Sequence, residues 1–273
     1  MTVLSIKNLS KSFGTNKVID GISFDIPEGS VFGFVGANGA GKTTTMKMIL
    51  GLYDSDAGEI FVCGEKVSYG ETKTNRNIGY LPDVPEFYGY MRPKEYLNLC
   101  GEIVGLETAE IKKRTAELLE MVGLAGVNKK ISSFSRGMRQ RLGMAQALLN
   151  EPKLLICDEP TSALDPIGRK EILDILKQIK GRTTVIFSTH ILSDVERICD
   201  RVAVLHKGNI VLESTINDLK YQRSSKNITL EYENEIDTGE LLRVLKENDL
   251  APANLETSET EFNMESLYLE VTK

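Results

Sequence analysis

Residues Gly36-Ala37-Asn38-Gly39-Ala40-Gly41-Lys42-Thr43 follow an apolar run, Ser30 to Val35, and precede a stretch of helical character from about Thr43 to Gly51. No other feature constrains the fold as strongly. The spacing is G-x-x-x-x-G-K-[ST], and a strand before it and a helix after it are the setting in which that pattern has meaning. Glycines let successive backbone N–H groups turn inward around an oxyanion. The mouth of the following helix adds partial positive charge. Lys42 places a full charge on outer phosphates, and the Thr43 hydroxyl suits a magnesium ion.

The rest of the chain fits a layered α/β domain around such a loop. Residues 3–13 and 18–26 alternate apolar and polar about a turn near Gly14-Thr15-Asn16, which predicts a two-stranded antiparallel start. Further strands are expected at 59–63, 78–81, 153–157, 183–187 and 201–206, with helices at 166–180 and after His190. Between Arg92 and about Asn150 apolar residues recur at helical spacing, among them Tyr96, Leu97, Ile111, Leu118, Leu142 and Ala145. Pro93 suits the first turn of a helix. This predicts a helical subdomain, about 84–150, inserted between two halves of a sheet. The expected division is a first domain over 1–221 and a small α+β module over 222–273. In the module Ile228, Leu230 and Tyr232 alternate as in a strand, Leu241, Leu242, Val244 and Leu245 suit a short helix, and Met264, Leu267 and Val271 suit a last one.

Charge and cysteine usage exclude several classes. The 273 residues carry a net charge of −6. The module holds 12 acidic and 5 basic residues, and the first 221 residues stand at +1. That balance is poorly suited to non-specific nucleic-acid binding, and no nucleic acid is expected as a partner. The one basic cluster, Lys129, Lys130, Arg136, Arg139 and Arg141, reads as a solvated face. Cys63, Cys100, Cys157 and Cys199 form no CxxC pair and only two histidines are present, so neither a zinc site nor a disulfide framework is expected, and the thiols read as reduced and mostly buried. No apolar run approaches the roughly 18 residues that cross a bilayer. The alternating start does not have the layout of a signal peptide, and a soluble cytoplasmic protein is expected.

Leu154-Leu155-Ile156-Cys157 is an apolar strand that ends in Asp158 and Glu159. Carboxylates just beyond a buried strand are costly unless a cation lies near. Asp158 therefore reads as a magnesium partner, most simply through water, because Mg²⁺ keeps several waters. Glu159 is placed to orient or deprotonate an attacking water. Together the loop and the acidic pair read as a P-loop NTPase.

Phe134-Ser135-Arg136-Gly137-Met138-Arg139-Gln140-Arg141 resembles the signature motif of ATP-binding cassette (ABC) proteins. Ser162-Ala163-Leu164-Asp165, the lone His190 after a strand and Phe13 near the start follow the order of that family as well. The resemblance covers roughly residues 3–215 and implies the nucleotide-binding subunit of an ABC transporter. It further implies ATP and Mg²⁺ as cofactors and a second copy of the chain as partner, the two sandwiching two ATP molecules head to tail. On this reading Phe13 stacks on adenine, and Lys42, Thr43 and Thr44 hold phosphates and metal. Ser135 and Gly137 reach the γ-phosphate held by the opposite subunit, Asp165 meets the partner, and His190 touches the γ-phosphate. Residues around 85–105 correspond to the stretch where the family docks on an integral-membrane permease. Such a chain would be peripheral at the inner face of the cell membrane.

Two motifs depart from the family pattern. The usual Leu-Ser-Gly-Gly-Gln has Arg136 in third place and Met138 in fifth, and the usual glutamine between the magnesium site and the helical subdomain corresponds to Asp83, a third candidate metal ligand. As the resemblance implies, such replacements occur in a branch that works with ABC-2-type export permeases, and the ending Met264 to Leu269 is similar to that branch. The expected activity is Mg-dependent ATP hydrolysis that powers export. The alternative is an ATP-controlled regulatory or binding module with little turnover.

Overall fold

Alternation builds the first layer. In β1 (Thr2–Phe13) Leu4, Ile6 and Leu9 are buried while Lys7 and Asn8 are exposed, and in β2 (Asn16–Pro27) Ile22, Phe24 and Ile26 are buried between exposed residues. The two strands pair antiparallel. The structure is a computed structural model that describes residues 1–71, 73–223, 243–244, 246–247 and 264–272.

The N-terminal pair does not join one mixed sheet. β4 (Ala57–Val62) pairs with β1, and β5 (Glu65–Lys66) with β4, giving a separate antiparallel sheet in the order β2-β1-β4-β5. The second sheet is built from continuous apolar runs. β3 (Val31–Val35), β7 (Leu154–Cys157) and β8 (Thr184–Thr189) are buried along their whole length, as strands covered on both faces are. With β6 (Ile78–Leu81), β9 (Arg201–His206) and β10 (Asn209–Thr215) they form the order β10-β9-β3-β8-β7-β6, parallel except for β10 against β9. Sequence reasoning left β5 and β10 out. The core lies between the sheets, where Phe24 stacks on Phe32 at 5.2 Å.

Helices begin where local chemistry permits. α1 (Lys42–Ile49) opens directly after the glycine-rich loop. α2 (Pro93–Ile103) starts on Pro93, with Glu95 accepting from the Arg92 backbone N–H at 2.8 Å. It packs with α3 (Thr108–Met121) and α4 (Arg136–Leu148), and Tyr96 donates to Gln146 at 3.0 Å across α2 and α4. α4 lies close on β6, because a side chain at Gly79 would collide with the Ala147 carbonyl at 2.1 Å and one at Gly143 with Leu81 at 2.7 Å. α5 (Pro166–Ile179) is capped by Asp165, whose carboxylate accepts from the Gly168 N–H at 2.9 Å, and Gly181 follows its end at φ 85°. α6 (Leu192–Ile198) follows β8, and α7 (Ile216–Arg223) follows β10.

The C-terminal boundary differs from the expectation. One compact unit comprises Met1–Asn217 together with Met264–Lys273, and the other comprises Asp218–Asn263. The last helix, α8 (Met264–Val271), is therefore part of the first unit and not of one module over 222–273. The physical reason is burial: Met264 and Leu267 are covered, α8 packs on α6, and the Met264 N–H donates to Glu196. The expected strand around Ile228, Leu230 and Tyr232 lies outside the described residues, as do Leu241, Leu242 and Leu245.

The four cysteines are free; Cys157 and Cys199 are buried, Cys100 is half-buried and Cys63 is exposed.

Candidate functional site

The parallel pairing sets β3, β8, β7 and β6 side by side in one direction, so the residues after each strand meet at one edge. Crevices outside the carboxyl ends of parallel strands are where α/β sheets bind ligands. Here the edge holds a cavity of about 340 Å³. Asn38, Gly39, Gly41, Lys42, Thr43 and Thr44 line it from the loop after β3, His190 after β8, Asp158 and Glu159 after β7, and Asp83 after β6. Val18, which sequence reasoning did not single out, and Ser162, the first residue of the Ser162 to Asp165 motif, complete the wall.

The loop is held by its own lysine. Lys42 Nζ donates to the carbonyls of Gly36 at 2.7 Å and Ala37 at 3.1 Å. Gly41 stands at φ 110°, and a Cβ there would lie 2.4 Å from Ile19 Cδ1 and 3.0 Å from the Val18 carbonyl. Gly36, Ala37 and Ala40 belong to the loop but not to the cavity wall.

The acidic pair is tied into the same edge. Thr43 Oγ1 donates to Asp158 Oδ2 at 2.7 Å, and Ser188 Oγ donates to Asp158 Oδ1 at 2.6 Å. Ser188 also accepts from the Glu159 N–H at 2.9 Å, so one buried hydroxyl holds the Asp158 carboxylate and the Glu159 backbone together. Sequence reasoning missed Ser188; its signal was a hydroxyl inside an apolar strand. Glu159 has φ 48°, a conformation that costs a non-glycine residue on the order of 1 kcal/mol or more and is held by these contacts. Its Oε2 meets His190 Nδ1 at 2.9 Å. Its Oε1 lies 3.1 Å from Lys42 Nζ as an ion pair, yet this buried atom has no aligned hydrogen-bond donor. An oxygen with an open lone pair on the cavity wall has capacity for one more hydrogen-bond donor.

Asp83 lies on the cavity wall and is paired with a residue outside it. Arg136 Nη2 donates to its Oδ1 at 3.1 Å. Partial burial pushes the Asp83 carboxyl above the usual carboxylate range; Arg136 pulls it down, and Asp158 and Glu159 push it up. On the same strand burial, with Asp158 adding to it, pushes the Tyr80 phenol up to about 12.

Behind the acidic pair, Asp194 of α6 is 1% exposed and accepts from Thr161 Oγ1 and from Arg169 Nε, each at 2.7 Å. A buried carboxylate satisfied on both oxygens ties the 158–165 loop to α5 and to the helix after His190.

Four further residues expected at the site or at its partner contact also lie outside the cavity wall. Phe13 is half-exposed at the end of β1, with Tyr53 edge-on at 5.7 Å and Lys11 over its ring. Ser135 caps α4, accepting from the Met138 N–H at 3.3 Å, and Gly137 follows in its first turn. A Cβ on Gly137 would meet no atom within 4 Å. Asp165 is engaged as the α5 cap.

The residues present fit a magnesium-bound triphosphate. Gly41 leaves room only for backbone, Lys42 and the α1 mouth supply positive charge, and Thr43 with Asp158 offers two hard oxygen donors. Among the described residues no cluster of three or more His, Cys, Asp or Glu could hold a metal by itself. That agrees with an ion bound through few side chains plus phosphates and water.

Comparison with known proteins gives one answer. The family profile described as ABC transporter matches residues 19–162. The chain is 42% identical over 229 residues to an uncharacterized ABC transporter ATP-binding protein, YxlF, of Bacillus subtilis, covering 84% of this chain and 76% of that one. It is 40% identical to the bacitracin transport ATP-binding protein BcrA of Bacillus licheniformis, covering 80% and 72%. Among solved structures, a dimeric ATP-binding cassette in a post-hydrolysis state with ADP and Pi matches with a TM-score of 0.70 and 26% identity, over 78% of this chain and 98% of that one.

Proposed function

Since the chain belongs to the family of ABC transporter ATP-binding proteins, we propose that it binds and hydrolyses Mg-ATP as a head-to-tail pair with a second copy and so powers export through a separate membrane permease. The observation that carries the reading is the convergence of Lys42, Thr43, Asp158 and Glu159 on one cavity within hydrogen-bond or ion-pair reach.

Each residue has a defined task. The loop amides from Gly36 to Gly41 and the Lys42 ammonium bind the outer phosphates. Thr43 and Asp158 hold the metal side, and Asp83 adds a nearby carboxylate. Magnesium, when bound, neutralises developing charge on the phosphate oxygens. The Glu159 carboxylate orients a water and takes its proton, and His190 keeps the glutamate in place through Oε2 and reaches toward the γ-phosphate. The exposed Phe13 face offers a stacking surface for adenine. The turn at Ser135 and Gly137 needs its glycine for no contact in its own subunit, which supports a phosphate contact made in the other.

An aromatic groove supports the permease contact. Phe87, Tyr88, Tyr96, Leu99, Ile103 and Val104 line a cavity of about 490 Å³, and Tyr88, Tyr90 and Ile103 are more than half exposed. Exposed apolar patches of this kind mark interaction surfaces. No helix among the described residues is long and apolar enough to cross a membrane. The export assignment follows the name of the bacitracin transport relative.

Titration of the purified chain with ATP and magnesium, followed by phosphate release, tests the reading. Lys42→Ala is expected to weaken ATP affinity at least about tenfold, the loss of one charge-assisted contact. Unchanged affinity in that variant, or no nucleotide uptake by the unaltered chain, would remove the proposal.

A further inference from the structure

Of the three carboxylates on the cavity wall, two are balanced locally: Asp158 accepts from Thr43 and Ser188, and Glu159 meets Lys42 and His190. Asp83 differs. Its cation, Arg136, comes from the first turn of α4, 53 residues along the chain, and Arg136 is not part of the wall. The placement is fixed by backbone packing, because Gly79 and Gly143 let α4 lie directly on β6, the strand that delivers Asp83. Arg136 also sits where a cation is locally unfavourable, at the positive end of a helix whose first turn has no acidic residue. A choice that breaks a local rule points to a partner elsewhere, and here that partner is Asp83. Both positions are among those where the chain departs from the family pattern.

We propose that Arg136 is a specificity-determining residue of the nucleotide site, acting through Asp83 to set the preference between metal-free and magnesium-loaded triphosphate. The proposal rests on the ATP-binding reading above. With Arg136 in place the Asp83 charge is cancelled and the cavity accepts a polyanion on the strength of Lys42 and the loop amides. Without Arg136, Asp83 repels the four negative charges of free ATP. Magnesium-loaded ATP carries two fewer, and Asp83 attracts the metal, so the two forms respond differently.

The test is a double-mutant cycle read by equilibrium binding, in dilute monomeric protein so that only a chain's own cavity counts. Affinities for ATP with chelator and for ATP with saturating magnesium are measured for the unaltered chain, Arg136→Ala, Asp83→Asn and the double variant. Arg136→Ala is expected to weaken metal-free ATP about two- to fivefold, in the range of a half-exposed charge pair, and to change Mg-ATP less than about twofold. Asp83→Asn is expected to leave metal-free ATP affinity within about twofold, because the charge that it removes is already cancelled, and Arg136→Ala on top of it to have no further effect. Arg136→Lys, which keeps the charge, is expected to hold the original ratio, and thermal melting reports any loss of fold. Equal losses with and without metal, or the same loss from Arg136→Ala in the Asp83→Asn background, would overturn the proposal. If the unaltered chain bound while the cycle showed no coupling, only this inference would fall. If Lys42→Ala left binding unchanged, the function itself would fall first.

Discussion

The loop before α1 and the turn before α4 both set a glycine at a helix mouth, and they use it differently. Gly41 has φ 110° and is hemmed in by Ile19 and the Val18 carbonyl, so the fold of its own subunit requires it. Gly137 has an ordinary helical backbone and open space where a side chain would be. Around the first, Lys42, Thr43, Asp158 and Glu159 form a closed set of hydrogen bonds and ion pairs. Around the second, Ser135 accepts from the Met138 N–H of its own turn and Arg136 forms a half-exposed ion pair with Asp83. One region is finished within a single chain. The other, on the function proposed above, is completed by the second copy.

The comparison can be broken by experiment. Its largest expected effect is Gly41→Ala, where backbone strain and collision together cost about 2–4 kcal/mol of stability and ATP uptake is lost; denaturant unfolding and nucleotide titration measure both. Next is Glu159→Gln, expected to lower turnover at least about tenfold while ATP affinity is kept, because the change removes a base and leaves the phosphate contacts. Equal turnover would take the proton-accepting role from Glu159. The smallest is Gly137→Ala. Alanine is the better helix former, so stability should stay level or rise by up to about 1 kcal/mol, while turnover falls several-fold because the added methyl stands where the second copy approaches. A Gly137→Ala chain with full turnover would erase the distinction between the two regions, and one that unfolds would show that the turn is needed by its own subunit after all.

What was legible in the sequence follows the same division. The loop and the acidic pair are contiguous residues whose chemistry shows in their order, and β3 and β7 announce themselves as apolar runs. Features made by tertiary contact were not legible. Ser188 holds Asp158 and the Glu159 backbone from 29 or 30 residues away. Asp83 and Arg136 were each visible as a departure, but nothing in their spacing says that they touch. β4 reads as a strand, yet alternation cannot say which sheet it joins; pairing with β1 decides that. β10 was hidden because Asn209 to Thr215 alternates between half-buried and exposed positions without a strong apolar run. The final helix was placed with its sequence neighbours, and burial of Met264 and Leu267 overrode that proximity.

That last helix has a practical consequence. The chain leaves its first unit at Asn217 and re-enters it at Met264, so residues 218–263 are spliced into that unit at both ends. Cutting the gene at the apparent boundary near residue 221 would remove α8 and strip the cover from α6, leaving an apolar scar next to the helix that follows His190. A faithful deletion would excise the middle and rejoin the two ends, keeping the C-terminal helix as the plug of the domain that it completes.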